Sequence, residues 1–258
     1  MRKRTRSARS SDKNLSIYGQ HAAAEALQNA ARPILGVTAT RNAANRLADQ
    51  LAARGISPTL VDPGELDRLL GRDAVHQGVA VSVGPLPQVH LADLLARGGT
   101  LIVLDQVTDP RNVGAIVRLA AAFAVRGLIV TRRNRPSETG VLAKAASGGL
   151  EHVPICEVPN LARTLEQMRD AGFVVIGLDS DGDTALDHLE HDPRTAVVLG
   201  AEGTGLRRLT RVHCDHIARI DLPGPIRSVN VATATALALQ TLHAAAKTAA
   251  AARNNAGD

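Results

Sequence analysis

The 258-residue chain carries 30 Lys and Arg against 25 Asp and Glu, a formal net charge of +5, with only 1% aromatic residues. Its two cysteines, Cys156 and Cys214, lie in unrelated segments, which gives no disulfide framework or metal-ligand spacing and points to a reducing cytoplasm. No apolar run approaches the ~20 residues of a membrane-spanning helix, and the basic N-terminus lacks the apolar stretch of a secretory signal.

Residues 1–14 hold Arg2, Lys3, Arg4, Arg6, Arg9 and Lys13 against Asp12, so this segment supplies the whole net charge. Without an apolar anchor it reads as a disordered basic tail, either a solubilising extension or a phosphate-binding arm. Residues 15–83 alternate as a small α/β unit. Helices are predicted at 19–29, 42–54 and 63–70, and strands at 34–38, 59–61 and 78–83. Gly84-Pro-Leu-Pro-Gln-Val-His90 breaks the pattern and reads as a short stiff linker.

A larger α/β unit is expected over 91–248. Leu101-Ile-Val-Leu104 is the continuous apolar run of a strand buried in a parallel sheet. Strands follow at 127–131, 152–158, 173–178 and 196–199, with helices at 112–124, 139–147, 160–171 and 207–212. This alternation implies a parallel sheet covered on both faces. The Ala-, Asn- and Gly-rich end, 249–258, is expected to fray.

Three segments carry chemistry. In the first, a buried strand ends at Leu104, Asp109-Pro110 makes a turn, and Asn112 opens a helix. Asn112 alone fits a helix cap. Arg118 is the one charge on an apolar stretch from Val113 to Val125, so it is expected to be buried, facing a core carboxylate or a site holding phosphate or ribose. The second, Leu199-Gly-Ala-Glu-Gly-Thr-Gly-Leu206, places Glu202 among glycines that let backbone approach a ligand at a strand's carboxyl end. Its spacing is not that of the dinucleotide fingerprint. In the third, a strand reaches Asp221 and Pro223-Gly-Pro225 stiffens a loop. Ser228-Val229-Asn230 then starts a helix of small residues, uncharged from Val229 to Leu242, that is expected to be surrounded closely by other backbone. Ser228 and Asn230 alone fit caps.

Together the three segments resemble motifs 1, 2 and 3 of the SpoU (TrmH-like) RNA ribose methyltransferases of the SPOUT superfamily. The match runs through Asp109-Pro-x-Asn112-x-Gly114 with Arg118, Leu199-Gly-Ala-Glu-Gly-x-Gly-Leu206, and Ile220-x-Leu-Pro with Ser228-x-Asn230-Val-Ala232. It departs at Val229, where the family usually has Leu. The resemblance covers roughly 15–245 and includes Ser16-Ile-Tyr-Gly-Gln-His-Ala22 and His76-Gln-Gly-Val-Ala80 of a small N-terminal substrate-binding domain.

The resemblance implies a parallel sheet with a deep trefoil knot and a homodimer with its site at the subunit interface. It also implies S-adenosylmethionine held by Leu199, Gly200, Gly203, Ile220, Leu222 and Val229, with no metal and no membrane. Arg118 would activate or orient a ribose 2′-hydroxyl, Asn112 would bind the ribose or hold Arg118, and Glu202, Ser228 and Asn230 would complete a hydrogen-bonded ring. The two-domain layout points to a guanosine of 23S rRNA. Arg126, Arg132, Arg133 and Arg135, and Arg207, Arg208 and Arg211, are two basic clusters for RNA phosphates. The alternatives are a tRNA ribose methyltransferase, a non-catalytic RNA-binding assembly factor and, against the missing fingerprint, a nucleotide-dependent oxidoreductase.

Overall fold

The computed structural model describes residues 15–134, 139–190 and 192–255. The basic tail expected at 1–14 lies outside them. An N-terminal unit holds β1 (Leu15–Tyr18), α1 (Gln20–Gln28), β2 (Ile34–Ala39), α2 (Arg41–Arg46), α3 (Ala48–Ala53), β3 (Thr59–Leu60), α4 (Pro63–Leu70) and β4 (Val79–Val83). Its sheet runs β1-β4-β2-β3, with β4 antiparallel to both neighbours and β3 parallel to β2. The helix expected over 42–54 is two helices. Leu47, 2% exposed, is drawn into the core and its φ of −106° and ψ of 14° interrupt the helical run.

The second unit holds α5 (Leu91–Arg97), β5 (Leu101–Asp105), α6 (Pro110–Ala122), β6 (Gly127–Thr131), α7 (Gly140–Ala146), β7 (Ile155–Val158), α8 (Leu161–Asp170) and β8 (Val174–Leu178). β9 (Thr184–Ala185), β10 (Thr195–Gly200), α9 (Arg208–Val212), β11 (His216–Arg219) and α10 (Val231–Asn255) complete it. The seven strands pair in the order β7-β6-β5-β10-β8-β11-β9, every pair parallel. The fold is therefore mixed α/β on a buried parallel sheet. β7 is shorter than the strand expected from His152, because Pro154 has no N–H for the ladder. α10 runs to Asn255, through much of the end expected to fray.

Alternation along the strands builds two cores. Ile102, Leu104, Val197 and Leu199 face one side, where they join α6, α7, α10 and the N-terminal unit in one continuous cluster. Leu101, Val103, Ile129 and Val198 face the other, against α5 and α8. On the first side α6 and α7 pack so closely that a Cβ on Gly114 would stand 2.6 Å from the Leu142 carbonyl oxygen. The two units are also joined by polar contacts. Arg32, 1% exposed, donates from Nη2 to Glu151 Oε1 at 2.8 Å and from Nη1 to the Gly84 carbonyl at 3.0 Å. Asn29 donates to Glu151 Oε2 at 2.7 Å, and His152 meets Glu25 at 2.8 Å. Residue 84 is thus pinned at the start of the segment expected to act as a linker.

Candidate active site

Because every strand of the large sheet is parallel, their carboxyl ends lie along one edge, where an α/β sheet binds ligands. There the loop after β10 folds back on itself. Gly205 N–H donates to the Ala201 carbonyl at 2.9 Å, and Gly203 holds a φ of 79°, open to glycine at little cost. A Cβ on Gly200 would lie 2.5 Å from the Gly205 carbonyl oxygen, so only glycine permits this turn.

The loop walls a cleft of about 460 Å3, within the 300–1,000 Å3 range of small-molecule sites. All six residues expected to hold the cofactor line it: Leu199, Gly200, Gly203, Ile220, Leu222 and Val229. Glu202, Ser228 and Asn230 line it too. Sequence reasoning missed Asp179, Ser180 and Arg227 in its wall. The position of Asp179, directly after an apolar strand of a parallel sheet, is the signal that could have found it.

At the rim three polar side chains converge from α6, the Gly-rich loop and α10. Asn230 caps α10 by accepting from Ala232 N–H at 2.8 Å, and this fixes its amide orientation. Its Nδ2 then donates to Glu202 Oε1 at 2.6 Å and to Asn112 Oδ1 at 3.0 Å, while Asn112 Nδ2 donates to Glu202 Oε1 at 3.2 Å. Two of the expected caps lie elsewhere. Asp109 caps α6, accepting from Arg111 N–H at 2.8 Å, which leaves Asn112 a turn inside the helix, and Ser228 lies ahead of the cap of α10.

Arg118 corrects the sequence reading. It is exposed, with no hydrogen bond or ion pair to any described residue. The buried stripe of α6 is Val113, Gly114, Ile116, Val117 and Ala120, and Arg118 falls outside it, on the side of half-buried Ala115 and exposed Ala122. It stands six residues beyond Asn112, roughly 9 Å along the axis and two-thirds of a turn around it. Asn112 therefore holds Glu202 and Asn230 rather than Arg118. α10 likewise buries only one stripe, with Val231, Thr235, Ala238, Leu239 and Leu242 inward, while Leu237 is 39% exposed.

Two of the arginines read as phosphate contacts are engaged within the protein. Arg207 pairs through Nε with Asp105 Oδ1 at 2.5 Å, and its backbone N–H donates to Asp105 Oδ2 at 3.0 Å. Arg211 pairs with Asp179. Arg208, Arg126, Arg132 and Arg133 are exposed, and Arg135 lies outside the described residues. Burial, helped by Asp215 and Asp105, pushes the Cys214 thiol up to about 12, and burial also raises Cys156. Both stay neutral thiols at ordinary pH and are poor nucleophiles. Among the described residues no group of three His, Cys, Asp or Glu could hold a metal ion, and no helix is long and apolar enough to cross a membrane.

Comparison with known proteins bears on this geometry. Residues 99–240 match the SpoU rRNA Methylase family, and residues 16–89 match the family described as RNA 2′-O ribose methyltransferase substrate binding. An uncharacterized tRNA/rRNA methyltransferase of Mycolicibacterium smegmatis is 38% identical over 244 residues, 91% of this chain and 77% of that one. A counterpart in Mycolicibacterium gilvum is 42% identical over 197 residues, 74% of this chain and 62% of its own. Among solved structures, the SpoU methyltransferase AviRb of Streptomyces viridochromogenes, in complex with AdoMet, shares the fold at a TM-score of 0.76. It is 23% identical, over 89% of both chains. An AdoMet-bound rRNA methyltransferase of Sinorhizobium meliloti superposes at 0.75 with 23% identity, over 89% of this chain and 86% of that one. The chain belongs to the SpoU methylase family and is an RNA 2′-O-ribose methyltransferase.

Proposed function

We propose that this enzyme methylates the ribose 2′-oxygen of a guanosine in 23S rRNA, using S-adenosylmethionine held in the cleft behind Gly200, and that it acts as a homodimer. The observation that carries the reading is the Asn112–Glu202–Asn230 cluster at the rim of a glycine-walled cleft. Leu178, Leu199, Ile220 and Leu222 offer apolar walls suited to a flat base, and the Gly200–Gly205 turn offers backbone that no side chain screens. S-adenosylmethionine, when bound, supplies an electrophilic methyl group whose positive charge is lost on transfer.

The residues of the chain then have to place the 2′-hydroxyl and take up its proton. Glu202 Oε1 is occupied by the two amides, which leaves Oε2 of this cleft-lining residue to accept the proton. Asn112 and Asn230 hold that carboxylate in place, and Ser228 adds a hydroxyl to the wall. A guanidinium stays protonated in proteins, so Arg118, reaching the cleft from the other copy of the homodimer, would orient the 2′-oxygen and a neighbouring phosphate rather than take the proton. The knot implied by the family resemblance belongs to the same reading. It is supported by the close cover of the loop after β8 over β11, where a Cβ on Gly182 would lie 2.6 Å from Arg219 N.

The test is transfer of a tritiated methyl group from S-adenosylmethionine to 23S rRNA, 16S rRNA and tRNA, followed by mapping of the labelled nucleotide. Label at one 23S guanosine ribose is the expected outcome. Label confined to tRNA would replace the substrate assignment, and none in any RNA would defeat it.

A further inference from the structure

A second cavity, of about 470 Å3, opens between α5, β7 and α8 on the sheet face opposite α6 and α10. Its wall includes Arg132, just beyond β6, and Arg163 and Asn160 at the start of α8, together with His90, Gln88 and Gln167. The side chains of Arg132 and Arg163 are without hydrogen bond or ion pair among the described residues, and both residues are exposed. Glu157, the one carboxylate in the wall, has a partner of its own. Asn160 Oδ1 accepts from Arg163 N–H at 3.1 Å, so the helix end is already capped and the Asn160 amide is left as a donor.

A further polar group lies on this face. The Thr131 hydroxyl is buried and has no partner, and Thr131 is in register with Val158 of the cavity wall, so their side chains share one face of the sheet. A concavity with two free guanidinium groups, spare amide donors and no Phe, Tyr or Trp is built for phosphate rather than for a stacked base.

We propose that this cavity is a subsite for a phosphate of the RNA substrate's backbone, outside the methylated nucleotide. The inference rests on the reading of the first cleft as an RNA methyltransferase site. Both cavities open at the carboxyl edge of the same sheet, the first around β8 and β10 and the second around β6 and β7. Three strand spacings, roughly 14 Å along the sheet, separate them, with the thickness of the sheet between, a span that a few nucleotides of one strand cover. A strand of RNA with its target ribose at Glu202 can therefore lay a flanking phosphate against Arg132 and Arg163.

The test compares the full chain with its R132A/R163A and R132K/R163K variants. Filter binding of a labelled rRNA fragment is followed from 50 to 200 mM salt, alongside steady-state methyl transfer. The Ala pair should raise KM for RNA ~10-fold and flatten the slope of log affinity against log salt by ~0.7 for each phosphate that is no longer neutralised. The maximal rate at saturating RNA, and cofactor affinity by calorimetry, should stay at wild-type levels. The Lys pair should keep the slope. An Ala pair with unchanged KM and slope, while the wild type methylates RNA, would overturn this subsite alone. A wild type that neither binds nor methylates RNA would overturn the parent reading with it.

Discussion

At the scale of single residues, the least visible participant is Asp105. It ends β5 at 1% exposure, in register with Gly200 of β10, and both its oxygens are spent on Arg207 at the exit of the Gly-rich loop. Its carboxylate fixes where that loop returns to the sheet, and so fixes the wall of the cleft. Asp105→Ala would leave the Arg207 N–H without its acceptor and free the loop exit. The Arg207 side chain is 44% exposed, so water takes over part of the lost pairing, and the stability loss should stay near 1–3 kcal/mol. The larger effect is expected on cofactor affinity, weakened ~10-fold or more, with Asp105→Asn between wild type and Ala because it keeps one acceptor oxygen. Calorimetric titration with S-adenosylmethionine, read beside thermal unfolding, checks this. Affinity that falls only as far as Tm does would reduce Asp105 to a purely structural role.

At the scale of elements, the Gly200–Gly205 turn is where geometry is least forgiving. Gly200→Ala drives a Cβ into backbone, not into a side chain that can swing away. The loop must shift, and Glu202, which sits on it, must leave Asn112 and Asn230. Methyl transfer should fall ~100-fold, the scale that misplacement of a positioned group carries, while far-ultraviolet circular dichroism stays that of the wild type. Activity within a few-fold of wild type would show that the turn is not what places Glu202. This turn was legible in the sequence because glycine spacing is a local signal, as were the apolar strands β5, β6, β8 and β10. β1 and α5 were missed because each directly follows a segment read as irregular, Leu15–Tyr18 the basic tail and Leu91–Arg97 the Pro-containing linker, so neither has a turn signal of its own to mark its start. Arg118 was placed inside because α6 carries alanine where a surface helix usually carries charge, and alanine does not declare which side is wet. Asp105–Arg207 and Arg32–Glu151 join positions over 100 residues apart, and no spacing announces such pairs.

At the scale of the molecule, two junctions decide whether the site is complete. The first joins the N-terminal unit to the large sheet through Arg32 and Glu151, whose side chains are 0% and 2% exposed. Removing one partner strands the other charge in the core, a loss of about 3–5 kcal/mol, whereas Arg32→Met with Glu151→Leu should recover much of it. Chemical denaturation of the single and double variants measures that difference. The second is the proposed junction between copies of the chain. Arg118 is exposed, well along α6 from the Asn112 cluster of its own chain, and α10 leaves its outer face uncovered. In a symmetric homodimer that pairs these faces, Arg118 of one copy would serve the cleft of the other. Arg118→Ala and Glu202→Gln proteins should each be nearly inactive alone. Co-refolded in equal amounts, half the dimers should be mixed, and each mixed dimer would hold one cleft with both groups intact, so the mixture should recover about a quarter of wild-type activity. If Arg118 served its own cleft, no mixed dimer would hold an intact site, and the mixture would stay as inactive as its parents.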